Sequence, residues 1–275
     1  MYAIPTGPSV VGGGRMALTG LSTAEAVRTL GPLLAVFDPP VTDLTRERLA
    51  ILAMARRGID IYRETLAVAD RAPNVCLAGL RVLVDLAILV RWIEPCPKLR
   101  LAMWSADDDR DRLRGAVGHA ALRRGRGVLP LPAFTEAQER RMRSRIERIR
   151  KIAIAHDERI SRKHGDPVLP NTRARTEAVG DLAEAAIVFQ VLSQPTHSSG
   201  RSYGSDRFIR RFDGLHYETH PAFGGSAITG LAVPSVCFLL ASASRQLALG
   251  VDADLDTIRL RVARWTEAGG PAAEE

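Results

Sequence analysis

The chain predicts an all-α fold, a single bundle of about eight to ten helices, and three observations carry that expectation. Apolar residues recur at three- and four-residue spacing over long stretches, and the strict alternation of a half-buried strand is hard to find. Aromatics make up only 5% of the 275 residues while the apolar fraction is 46%. The core must therefore be built mostly from Ala, Leu, Val and Ile, which suits close helix packing better than a sandwich. Prolines, glycines and capping residues punctuate the chain at helix-length intervals.

The elements follow in order. Ser22 and Thr23 can cap a first helix to about Phe37, with Pro32 bending or dividing it, and Asp38-Pro39-Pro40 stops it. Thr42 or Asp43 starts a long helix to about Asp70, in which Leu44, Arg48, Ile51, Ala55, Ile59 and Tyr62 trace one mainly buried stripe. Pro73-Asn74 opens the most apolar helix, to Ile93, and Pro95-Cys96-Pro97 ends it. Residues 99–104 lead into Ser105 and a basic amphipathic stretch. Gly115, Gly118, Gly125 and Gly127 loosen it before the turn at Leu129-Pro130-Leu131-Pro132. Thr135-Glu136 begins a highly charged helix to about His164. Further helices are expected over 172–193, 226–249 and 255–265, with 198–225 irregular. This reads as one helical domain over 21–268, with a flexible leader at 1–20 and a flexible tail at 269–275.

Composition narrows the classes of function. Cys76, Cys96 and Cys237 are scattered and no C-x-x-C occurs, which argues against a disulfide framework or a zinc ribbon and points to a cytoplasmic setting. The glycine- and proline-containing leader lacks the basic and apolar regions of a signal peptide. Two stretches mimic membrane helices. Residues 75–93 carry Arg81, Asp85 and Arg91, and 225–244 is uncharged but rich in Ser, Thr, Gly and Ala with Pro234 in its middle. Both read as core helices, so stable membrane insertion is not expected. Lys plus Arg number 38 against 31 acids. The excess is localised: residues 110–163 hold 16 Arg or Lys and 6 Asp or Glu, a balance of +10.

Candidate site residues fall in two groups. Arg81 and Asp85 stand four apart in the most apolar helix, so they share a face that must be covered, and polar groups cover it best. Trp92 lies on much the same face. Far downstream, the apolar run 188–192 ends at Ser193, Pro195 and His197, which places hydroxyls and a histidine at the end of a buried element. Arg81, Asp85, Ser193 and His197 are therefore expected close together in the bundle interior, as catalytic or pocket residues. The second group is Arg141, Arg145, Arg148 and Arg159, riding outside the stripe Met142, Ile146, Ile149, Ala153, His156 and Ile160 as nucleic-acid-binding residues. His156 is read as core-facing.

Three resemblances bear on these residues. Arg81-x-x-x-Asp85 with Trp92, followed by Leu192-Ser193-x-x-x-His197 and serines, resembles an uncharacterised bacterial all-helical family over residues 45–200. That family more often carries Glu at the position of Asp85. The resemblance implies a helical bundle in which Arg81, Asp85, Ser193 and His197 gather, and no known chemistry. Arg150 and His156 resemble the spacing of HEPN-type helical ribonucleases. Six residues at about 100° each set the two side chains roughly 120° apart on one helix. Asp107-Asp108-x-x-Asp111 resembles the aspartate-rich motif of class I terpene synthases, but their second metal motif is missing. Those aspartates are read instead as the first turn of a helix capped by Ser105. His216 and His220 are four apart, but Gly214 and Pro221 disfavour a helix between them. No metal site and no cofactor are expected.

Two classes of function fit the chain. One is a nucleic-acid-directed stress or defence protein with RNA or another polyanion as partner, in its sharpest form an HEPN-like ribonuclease. The other is a small-molecule enzyme or binder with a pocket around Arg81, Asp85, Ser193 and His197. A helical interaction protein is the third alternative, and a homo-oligomer is left open.

Overall fold

A computed structural model describes residues 22–38, 44–124, 134–156, 172–179, 206–211, 214–219 and 225–267. In chain order the elements are α1 (Thr23–Ala35), α2 (Arg46–Val68), α3 (Pro73–Ile93), α4 (Pro97–Arg124), α5 (Glu136–His156), α6 (Thr172–Val179), β1 (Asp206–Arg211), β2 (Gly214–Thr219), α7 (Gly225–Leu247) and α8 (Asp252–Glu267). The fold is all-α, with eight helices among the described residues. A small antiparallel hairpin accompanies them, Asp206 opposite Thr219 and Arg211 opposite Gly214. It falls in the stretch expected to be irregular.

Helix starts follow local chemistry. Ser22 caps α1 reciprocally: its Oγ accepts from the Glu25 amide, and its own amide donates to the Glu25 carboxylate at 3.0 Å. The Ser22 hydroxyl also donates to the Glu25 carboxylate at 2.6 Å, and this bond together with the one from the Ser22 amide holds that carboxyl below its ordinary range. Thr45 caps α2 by accepting from the Arg48 amide at 3.3 Å, a start slightly later than Thr42 or Asp43. Pro73 opens α3 at a position where its missing N–H is no loss. Thr135 and Gln138 repeat the reciprocal cap at α5, with bonds of 2.8 and 3.2 Å.

Two expectations need correction. Pro97 does not merely end the preceding helix; it begins α4, which runs unbroken to Arg124. Ser105 is therefore no cap, and Asp107–Asp111 lie in mid-helix. A proline is favourable in a first helical turn, and the two glycines at 115 and 118 cost only about 1 kcal/mol each against alanine. The second correction is His156. It sits exposed in the last turn of α5, where the buried seam has already ended at Ala153.

The core is laid around α7, which packs on α2, α3, α8 and α1. Ile228, Ala232, Val233, Val236, Cys237, Leu239 and Leu240 are fully buried along it. Among the described residues α7 is the one helix long and apolar enough to cross a membrane, and most of that stretch is buried by its neighbours here. At the closest crossing of α2, a Cβ on Gly58 would overlap Leu239 Cδ2 and reach Leu83 Cδ1 at 3.6 Å. Glycine is what lets α2 approach α7. Burial pushes the Cys237 thiol up to about 12 and also raises that of Cys76, so both are neutral packing residues. By contrast α5 packs chiefly on α4, and that pair flanks the core.

A polar hub closes the core at the end of α3. Glu94 accepts from Ser242 Oγ at 2.6 Å, Arg245 Nε at 2.8 Å and Arg91 Nη1 at 2.8 Å. Ser242 is fully buried, so its hydroxyl needs this acceptor. Burial pushes the Glu94 carboxyl up, but the hydrogen bonds from Arg245, Ser242 and Arg91 outweigh it and leave it below the ordinary glutamate range. A depressed carboxyl contributes stability above its unfolded pKa and loses it as pH falls through the folded value. Glu94→Gln should thus cost about 1.5–3 kcal/mol at neutral pH. Urea midpoints of wild type and variant should converge as pH falls below the ordinary glutamate range. A gap that stays constant down to low pH would contradict this assignment.

Candidate functional site

Arg81 and Asp85 lie together on α3, as their spacing requires, but at the edge of its buried stripe. Both are half-buried rather than interior, and the Asp85 side chain is 40% exposed. The cover comes from α6. Thr172 Oγ1 donates to Asp85 Oδ1 at 2.9 Å, and Arg175 Nη2 reaches the same oxygen at 3.2 Å. Thr172 opens α6, so the carboxylate also faces the positive end of that helix. Arg175 is the buried member, at 6% exposure, and its Nε has no hydrogen-bond partner among the described residues. Asp85 is thus the dock for α6. Ser193 and His197, expected beside it, lie outside the described residues. Trp92 is fully buried, with the Arg100 guanidinium 4.9 Å from its ring centre.

The aspartates of α4 are each met by an arginine. Asp107 pairs with Arg110, Asp108 with Arg112 at 2.9 Å and Asp111 with Arg114 at 3.7 Å. Asp109 points the other way. It is nearly buried, at 5% exposure, and accepts from Arg145 of α5, which also donates from Nη2 to the Ser105 carbonyl at 3.2 Å. This pair clasps α5 to α4. Among the described residues no group of His, Cys, Asp and Glu is placed to hold a metal ion. His216 stands on β2, and His220 lies outside the described residues.

Helical geometry then divides the cations of α5. Ile149 and Ala153 form the buried seam, with Met142 and Ile146 half-buried along it. At 100° per residue, Arg141, Arg145 and Arg148 fall on one flank of that seam and Arg143 and Arg150 on the other. Arg141, Arg148, Arg150 and Lys151 are exposed and meet no acid among the described residues. Arg145 is committed to Asp109, and Arg159 lies outside the described residues. Arg150 and His156 are both exposed, on different faces of the helix.

Each flank borders a cleft. The larger, about 630 Å³, is lined by Arg110, Leu113, Arg114, Arg143, Ile146, Glu147 and Arg150. Its cations are largely spoken for: Arg110 pairs with Asp107, Arg114 with Asp111, and Arg143 with Glu139 at 3.7 Å. The smaller, about 230 Å³, lies where the first turn of α2 meets α4 and α5. Arg46, Lys98, Arg145 and Arg148 stand around it with Glu47 as its single acid, over a floor that includes Leu101 and Ile149. Trp104 forms one wall and is 37% exposed. Sequence reading missed Arg46, Lys98 and Trp104, because nothing local joins the start of α2 to the middle of α5. Thr172 and Arg175 were missed for the same reason, although Pro170-Asn171 before Thr172 marks a helix start.

No protein-family model matches the chain, and no curated protein or solved structure matches it either.

The clasp makes an asymmetric prediction. Arg145→Ala strands a nearly buried carboxylate and should cost about 3 kcal/mol. Asp109→Ala releases a guanidinium that is already 38% exposed and can turn to water, so it should cost only about 1 kcal/mol. The double variant should be more stable than Arg145→Ala alone. Urea denaturation of the three variants checks the order, and equal costs for the two single changes would contradict it.

Proposed function

We propose that this protein binds a polyanion, with single-stranded RNA as the best candidate, on the exposed surface of α4 and α5. The observation that carries the reading is the set of cations Arg141, Arg148, Arg150 and Lys151 on α5 that meet no acid among the described residues. Arg140, by contrast, pairs with Glu136 at 3.4 Å along the same helix. Exposed cations that meet no acid among the described residues, on a helix that flanks the core, are placed to meet phosphates. The local balance of +10 over residues 110–163 adds long-range attraction. The reading is one of binding rather than cleavage, since Arg150 and His156 do not converge on the helix. A role in bacterial stress or defence remains part of the proposal through the resemblance to HEPN-type proteins.

Fluorescence anisotropy with a labelled single-stranded RNA tests it. Affinity should fall with salt, with log K against log salt sloping at about −3 to −4 if five or so phosphates are contacted. Arg141→Glu combined with Arg148→Glu should abolish binding at moderate salt, whereas Arg63→Glu on α2 should leave it nearly unchanged. Absence of binding at low salt, or affinity that ignores salt, would overturn the proposal.

A further inference from the structure

We infer that the smaller cleft is a subsite for a terminal phosphomonoester, the phosphorylated end of a single strand, with the end nucleotide's base against Trp104. The inference rests on the polyanion-binding reading and adds what the cleft itself recognises.

The first argument is charge. Arg46, Lys98 and Arg148 line the cleft and meet no acid among the described residues. Arg145 spends Nε and Nη2 on Asp109 and Ser105, and its Nη1 has no bond among the described residues. Against these stands Glu47 alone. One bridging phosphodiester brings a single negative charge. A terminal monoester brings about −1.5 to −2 near neutral pH, with three oxygens able to accept. The cationic surplus matches the second better than the first. The Asp109–Arg145 clasp also holds Arg145 in place, so one donor is preorganised.

The second argument is size and wall chemistry. About 230 Å³ is below the usual span of small-molecule pockets, so the cleft suits a phosphate and part of one end nucleotide rather than a strand passing through. The exposed face of Trp104 beside an apolar floor offers a stacking surface, and stacking tolerates any base. Glu47 on the same cleft repels a second phosphate. The larger cleft lacks both features: it has no aromatic wall, and its arginines are mostly paired with aspartates or glutamates.

The experiment uses the full chain and one decamer sequence, labelled in mid-strand, with a 5′-phosphate, a 3′-phosphate or hydroxyls at both ends. One phosphorylated form should bind about tenfold more tightly than the hydroxyl form, and comparison of the two identifies which end is read. That form should quench tryptophan emission, and Trp104→Phe should remove the quench. Lys98→Ala with Arg148→Ala should erase the advantage of the phosphorylated end. Strands that all bind equally, with Trp104 emission unmoved, overturn the end-recognition inference and leave the polyanion reading standing. Failure of every decamer to bind at low salt overturns both.

Discussion

The architecture depends on covering α7. A helix with no charge from Gly225 to Ser244 cannot face water along its length, and each of its neighbours answers that constraint. Gly58 lets α2 close against Leu239, α3 supplies the opposing aliphatic wall, and α8 folds back across a turn in which Gly250 takes φ +75°. Burial extends even to Ser242 and Ser244. Their hydroxyls are satisfied at the edges: Ser242 donates to Glu94, and Ser244 accepts from the Val251 amide at 3.1 Å. The Glu94 hub is therefore a consequence of apolar packing, because a small hydroxyl in the seam requires an acceptor brought from another helix.

The α4–α5 pair stands apart from that constraint. Its contact with the core is slighter, and α5 buries little beyond Ile149 and Ala153. A helix with so narrow a seam gains from the Asp109–Arg145 clasp, which adds a fixed polar contact to the burial of Ile149 and Ala153. The same economy leaves most of its circumference in water, where its cations are available. Fold and proposed function thus divide along the chain: the first three and last two helices build the core, and the middle third presents charge.

What could be read in the sequence was local. The caps at Ser22 and Thr135 and the proline start at 73 depend on residues three or four apart, and they were legible. The buried stripe of α2 at Ile51, Ala55, Ile59 and Tyr62 was legible for the same reason, although Leu44, assigned to it as well, precedes the helix and Arg48 is exposed. Partners across the fold were not. Asp85 could be identified as needing cover, but the donors on α6 belong to a helix 87 or more residues away. Asp109 looked like one aspartate of a helix start. It instead sits in mid-helix, buried against Arg145 of a helix 36 residues further along the chain. Arg145 itself reads as a surface cation in sequence and is half-buried in the structure, which a periodicity argument cannot distinguish when one long side chain folds back over the seam.

Hydrogen–deuterium exchange of the full chain, with and without a saturating single-stranded RNA, tests the central claim most directly. The account predicts added protection along α4, α5 and the first turn of α2. Amides of α7 and α8, already slow through burial, should be unchanged apart from any global stabilisation. Protection confined to the β1–β2 hairpin or to α8, with α5 exchanging as fast as in the free protein, would contradict it.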